Sequence, residues 1–286
     1  MIKKPKIGSE WNVLFKPEIY GNYVNDHSII KDVQGKWNLF GITSKTGNPS
    51  DERYFVHGIS ATKLFAGNMK EVGKVIDTGT CAWAPGVIES DNKYYMYYGP
   101  SPTKLAISTD LKEWMGYEIN LIGNPPLSCH RDHFVMKLND YTWIMYVSGI
   151  KDGYGAISCL VSNDLLNWRF VQYALTSSEN APLKPAWGAF ESPCVVKLDN
   201  IYYLFVTYTD CNIKNYQNTL VFASENSYDF GNYTGDNHND MVVTTIPVHA
   251  GEIIKDDDSY YITTCGWNNM DIPIEGAVSV AKLDWI

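Results

Sequence analysis

The sequence predicts an all-β chain, a five-bladed β-propeller with four-stranded antiparallel blades, on three observations. One plan occurs five times: a short apolar strand, a tight polar turn, then a second strand rich in aromatics. The copies start at residues 26, 84, 132, 192 and 250, so successive spacings are 58, 48, 60 and 58 residues. Repeats of this length match propeller blades. Composition agrees, since 20 Tyr, nine Trp and ten Phe give 14% aromatics, a strong β bias. A single propeller domain over residues 1–286 is expected, because blades share continuous apolar packing.

Blade one takes its inner strand from Asp26 to Lys31, followed by strands near 36–43, 53–60 and 70–77. Blade two spans 84–122 and blade three 132–176. Each contains the same Ser-x-Asp-Leu-x-x-Trp, at Ser108/Asp110/Leu111/Trp114 and Ser162/Asp164/Leu165/Trp168. Its Asp suits a turn that caps backbone amides, and its Leu and Trp suit packing between blades. Blade four spans 192–245 and carries a polar insertion from Tyr228 to Asp240. Blade five starts at Ala250 and shows only three strands before the chain ends. The missing strand is expected from the N-terminal segment 11–15, which would close the ring.

Net charge is −9 with 23 scattered basic residues, which argues against nucleic acid as a partner. No window approaches 18 apolar residues, so no membrane-spanning helix and no membrane partner are expected. The first residues are basic but lack an apolar stretch behind them, which does not read as a signal peptide. A cytoplasmic location with reduced, structural cysteines is the expectation.

In a propeller the starts of the inner strands converge on one mouth of the central channel. There the sequence places Asp26, Asp132 and Glu191 at equivalent repeat positions. Taken singly, Asp26 could cap a turn, Asp132 could pair with Arg131, and Glu191 could be a solvated rim residue. Converging like charges raise one another's pKa, which suits an enzyme needing one protonated and one ionised carboxyl. Trp83 and Trp187 precede inner strands and can act as sugar-stacking walls or as plain packing. Arg131 can pair with Asp132 or hold a sugar hydroxyl, and Glu252 can face the channel or the neighbouring blade.

At these residues the chain resembles the five-bladed glycoside hydrolases of family 43 and, more distantly, families 32 and 68. The resemblance rests on Asn25-Asp26-His, Trp83-Ala-Pro-Gly, Arg131-Asp132-His, Phe190-Glu191-Ser-Pro and Val248-His249-Ala-Gly-Glu. It implies Asp26 as general base, Glu191 as general acid and Asp132 as orienter raising the pKa of Glu191, in an inverting hydrolysis. It also implies an oligosaccharide substrate with arabinofuranosyl or xylosyl units. No cofactor is required, and a structural calcium ion in the channel near His249 is compatible. His27 and His133 depart from the pattern, standing where family members often carry proline. Asn25-Asp26 and Arg131-Asp132 also resemble motifs of the retaining fructosidases of family 32. His130 and His249 are alternative acids by likeness to anhydrogalactosidases. A silent sugar-binding propeller and a transferase or phosphorylase on the same scaffold stay open, as does the oligomeric state.

Overall fold

The computed structural model describes residues 1–60, 64, 68–123, 127–184, 187–212, 214–235 and 241–286. Five antiparallel sheets carry the fold, one per repeat. Blade one consists of His27–Lys31, Trp37–Thr43, Tyr54–Ile59 and Lys70–Val75, from the channel outward. Blade two follows with Trp83–Ser90, Lys93–Gly99, Lys104–Ser108 and Met115–Tyr117. Blade three has Ser128–Asn139, Thr142–Lys151, Tyr154–Ser162 and Asn167–Ser177, and blade four Phe190–Leu198, Ile201–Tyr208, Thr219–Ser224 and Val242–Ile246. Among the described residues the only helix is the 3-10 turn Pro49–Asp51, and no helix is long and apolar enough to cross a membrane.

Blade five closes as expected, with one addition. Its own strands are Ile253–Asp256, Ser259–Thr264 and Val278–Trp285. Asn12–Phe15 pairs with the last of these, and so does a second N-terminal strand, Pro5–Ile7, farther along the same edge. The chain's two ends therefore complete one sheet. Two smaller departures concern the links between blades. Asn120–Ile122, expected in blade two, pairs parallel with Asn167–Ser177 of blade three. Within the polar insertion of blade four, Asn232–Tyr233 also pairs parallel with that strand, while 236–240 lie outside the described residues.

Burial explains the aromatic second strands. Trp37–Thr43 is buried at every position because neighbouring sheets cover both of its faces. Such strands read as continuous apolar runs rather than alternating ones. Between blades two and three, Tyr97 meets Trp168 edge-on at 5.6 Å, and the Tyr97 hydroxyl donates to the Leu165 carbonyl at 2.6 Å. The two Ser-x-Asp-Leu-x-x-Trp turns are built alike: Asp110 Oδ1 accepts from the N–H groups of Lys112 and Glu113, and Asp164 Oδ1 from those of Leu166 and Asn167. Their role is structural. The six cysteines form no disulfide.

Four inner strands share a backbone feature that aims the site. Ala84, Asp132, Ser192 and Ala250 occupy the same repeat position, and all have left-handed φ between 48° and 57°. The sheet register shifts beside three of them, between Trp83 and Gly86, Arg131 and His133, and Glu191 and Cys194. A left-handed L-residue costs roughly 1–2 kcal/mol. Each bulge turns the strand start out of the ladder, so consecutive side chains point to the mouth and then into the channel.

Candidate active site

The repeat positions stack into rings. Asn25, Trp83, Arg131 and Glu191 come from four blades at one level and line a cleft of about 260 Å³. The next residues inward, Asp26, Ala84, Asp132, Ser192 and Ala250, form the neck of the channel with His27, Pro85, His133, Pro193 and Gly251 beneath them. The neck encloses a cavity of about 20 Å³, room for about one water. Asp26 and Asp132 face both spaces. The three acids do meet, but not at equivalent positions. Ser192, not Glu191, matches Asp26 and Asp132, and Glu191 stands one level nearer solvent beside Arg131.

Ser192 ties the two aspartates together. Its hydroxyl donates to Asp26 Oδ1 at 2.6 Å, and its backbone N–H donates to Asp132 Oδ2 at 2.9 Å. Burial and the adjacent Asp132 carboxylate hold the Asp26 carboxyl well above the usual range, with the Ser192 hydroxyl opposing that rise. Burial likewise raises Asp132, although Arg131 pulls it down. Shared burial therefore raises both aspartates together.

Arg131 links this pair to Glu191. Its Nη2 lies 2.7 Å from Glu191 Oε1, and its Nε 3.6 Å from Asp132 Oδ2. Nη1 donates to the carbonyls of Trp187 at 2.8 Å and Cys129 at 3.2 Å. The guanidinium thus stands between the two carboxylates and pairs mainly with Glu191.

The aromatic walls lie where a sugar needs them. Trp83 and Trp187 meet edge-on at 6.5 Å, and Trp187 is 50% exposed. Trp267, Tyr216, Ile42 and Pro49 complete the lining, and so does a fourth carboxyl, Glu52. Sequence reasoning missed all five. Trp267 follows the second strand of blade five, a signal comparable to Trp83, whereas Glu52 in Asp51-Glu52-Arg53 reads as an ordinary charged turn.

His249 is placed differently from expectation. It is 1% exposed, with Tyr216 edge-on at 5.0 Å and Trp267 stacked at 6.2 Å between it and the cleft. Its Nδ1 donates to the Cys265 carbonyl at 2.7 Å. It therefore braces the aromatic wall rather than touching a ligand. Among the described residues no group of three or more His, Cys, Asp or Glu side chains could hold a metal ion. Calcium takes six to eight oxygen ligands; the His249 side chain offers it none, and its Nδ1 is already engaged by the Cys265 carbonyl. His130 lines a separate groove with Pro102 and Ile119. His27 and His133 are buried in the neck, their Nε2 atoms 2.8 Å from the hydroxyls of Thr263 and Thr103, and burial pushes both down to about 3. Glu252 faces the neck cavity, and burial raises it to about 8.

No family profile and no curated protein matches the chain. Solved structures do match in fold. A thermostable family-43 glycoside hydrolase superposes with TM-score 0.66 at 19% identity, covering 93% of this chain and 92% of that one. A family-43 β-xylosidase/α-arabinofuranosidase from a compost microbial metagenome, in complex with xylotriose, gives TM-score 0.65 at 16% identity, covering 99% and 95%. A family-32 β-fructofuranosidase from Bombyx mori in complex with sucrose gives 0.62 at 18%, covering 96% of this chain and 60% of that one. The chain resembles these enzymes in its five-bladed fold.

Proposed function

We propose that the protein is a glycoside hydrolase that cleaves short oligosaccharides, with xylosyl or arabinofuranosyl units as substrates, by an inverting mechanism. The observation that carries this reading is the meeting of Asp26, Asp132 and Glu191, from three blades, beside a cleft walled by Trp83, Trp187, Trp267 and Tyr216. Indole and phenol faces stack on sugar C–H surfaces, and paired carboxyls supply the acid and the base of glycosidic cleavage.

In this mechanism Asp26 takes a proton from the attacking water. Its raised pKa makes it a stronger base near neutral pH than a solvated aspartate. Glu191 protonates the leaving oxygen. Its resting partner is Arg131, so a sugar hydroxyl must first take over the guanidinium, which couples substrate binding to release of the acid. Asp132, held by Ser192, keeps Arg131 in place. The test is hydrolysis of aryl glycosides and xylo- and arabino-oligosaccharides with NMR detection of the first-formed anomer. Inverted product supports the reading.

The second reading is a retaining, fructosidase-like enzyme, favoured by the Asn25-Asp26 and Arg131-Asp132 pairs. It is the better one if the anomeric configuration is retained. Sugar binding without turnover of any glycoside would favour the silent binding propeller.

A further inference from the structure

Glu52 is the cleft residue that this mechanism leaves unused. It follows the turn Pro49–Asp51, which is capped by the Asn48 side chain, and its backbone carbonyl accepts from Ala82 N–H of blade two at 2.9 Å. These bonds fix the turn over the mouth. The side chain is 2% exposed yet lines the cleft. Its Oε1 accepts from the Tyr23 hydroxyl at 2.7 Å and from Trp267 Nε1 at 2.9 Å. Among the described residues nothing hydrogen-bonds Oε2.

A buried carboxyl is unfavourable unless its oxygens are used. A glutamine or an apolar side chain would fill the corner at lower cost. Two further polar atoms on the same lining are also unused. Asn25, 4% exposed, has its Oδ1 buried without a partner, and so has Trp83 its Nε1. Trp83 Nε1 lies close enough to the Glu52 carboxyl to lower its pKa as a hydrogen-bond donor would, yet falls short of full hydrogen-bond geometry. The lining therefore offers two acceptors and one donor, from blades one and two. Adjacent hydroxyls, which donate and accept at once, match that set.

We propose that Glu52, Asn25 and Trp83 form a recognition subsite for a vicinal diol of a neutral sugar, with Glu52 Oε2 as its main acceptor. The subsite rests on the glycosidase reading for its biological use, but not for its binding chemistry. It sets specificity in two ways. A sugar lacking the hydroxyl leaves Glu52 Oε2 unpaired and is rejected. A uronic acid would set its carboxylate against that of Glu52 and is also rejected.

The test is titration of intrinsic tryptophan fluorescence with methyl β-D-xylopyranoside, methyl α-L-arabinofuranoside, their monodeoxy counterparts and methyl β-D-glucuronide. The wild type is expected to bind a neutral glycoside at least tenfold more tightly than one of its monodeoxy counterparts and than the glucuronide. Glu52→Gln should weaken the neutral glycoside roughly 10- to 100-fold while leaving that one monodeoxy sugar nearly unchanged. Equal losses for every sugar, or no loss, would overturn the subsite and leave Glu52 a brace for Tyr23 and Trp267. Binding of no sugar, or of the glucuronide as well as the neutral glycoside, would overturn it too. Should Glu52→Gln fail to fold, the wild-type comparison alone decides. Turnover is scored separately. Hydrolysis without discrimination removes the subsite and keeps the hydrolase, whereas discrimination without hydrolysis does the reverse.

Discussion

The hydroxyl of Ser192 reaches Asp26 Oδ1 at 2.6 Å, so a residue of blade four sets the charge state of a carboxyl on blade one. That bond lowers the Asp26 pKa against burial and Asp132. Removing it should raise the pKa, so the base ionises only at higher pH. Ser192→Gly, which suits the left-handed backbone, should move the acidic limb of the kcat/KM profile up by roughly one pH unit. An unmoved limb would show that Ser192 does not tune the base.

Glu191→Gln keeps the shape of the acid but cannot deliver a proton. Turnover should fall by several orders of magnitude on oligosaccharides and much less on activated aryl glycosides, whose leaving group needs little protonation. Asp26→Asn should impair both alike, because water activation is common to both. Equal losses on both leaving groups for Glu191→Gln would remove it from the acid role.

Glu252 gives a prediction about stability and pH. Its pKa stands near 8 when folded against the ordinary 4.5, so the folded state holds its proton more tightly. The associated stability is complete below about pH 4.5 and is lost as pH rises through 8. Glu252→Gln removes that loss, and should raise Tm by several degrees at pH 9 with little change at pH 5. The neck histidines act with the opposite sign. His27 and His133 are held near 3, so their stabilisation is present above about 6.5 and is lost as pH falls towards 3. A Tm difference independent of pH would contradict the Glu252 assignment.

Ring closure rests on Leu14 and Phe15, both fully buried, on a strand paired with Val278–Trp285. Phe15 packs over Gly58 of blade one, where a Cβ would come within 2.8 Å of its ring. Phe15→Ala should cost roughly 3–5 kcal/mol. Deletion of residues 1–16 should cost more, since it also bares the edge of the last strand. An unchanged Tm after that deletion would exclude the N-terminal strands as the closing element.

The blades were legible because their periodicity is written into local pattern. The turns around Asp110 and Asp164 repeat it independently. The site was legible only where it uses the repeat. Asp26, Asp132, Arg131, Trp83 and Glu191 all lie at inner strand starts, with Glu191 level with Arg131 and Ser192 level with Asp132. Glu52 and Tyr216 come from the linkers, where nothing periodic marks them. The burial of His249 depends on Trp267, a residue of the same blade that folds over it. In sequence, Arg131 pairs with its neighbour Asp132. Its stronger bond to Glu191 depends on how blades three and four are angled, which no local pattern records.

The level shared by Asn25, Trp83, Arg131 and Glu191 makes this molecule modular in a particular sense. Each of four blades contributes one letter to a word read around the mouth, and each letter stands at the start of its own sheet with its own hydrogen-bond ladder. A change in one letter can therefore rewrite the chemistry at the mouth while the strands that present the others keep their own ladders. The word is spelled by distant stretches of sequence but read as one, since Arg131 pairs with Glu191 and Ser192 with Asp26 across blades.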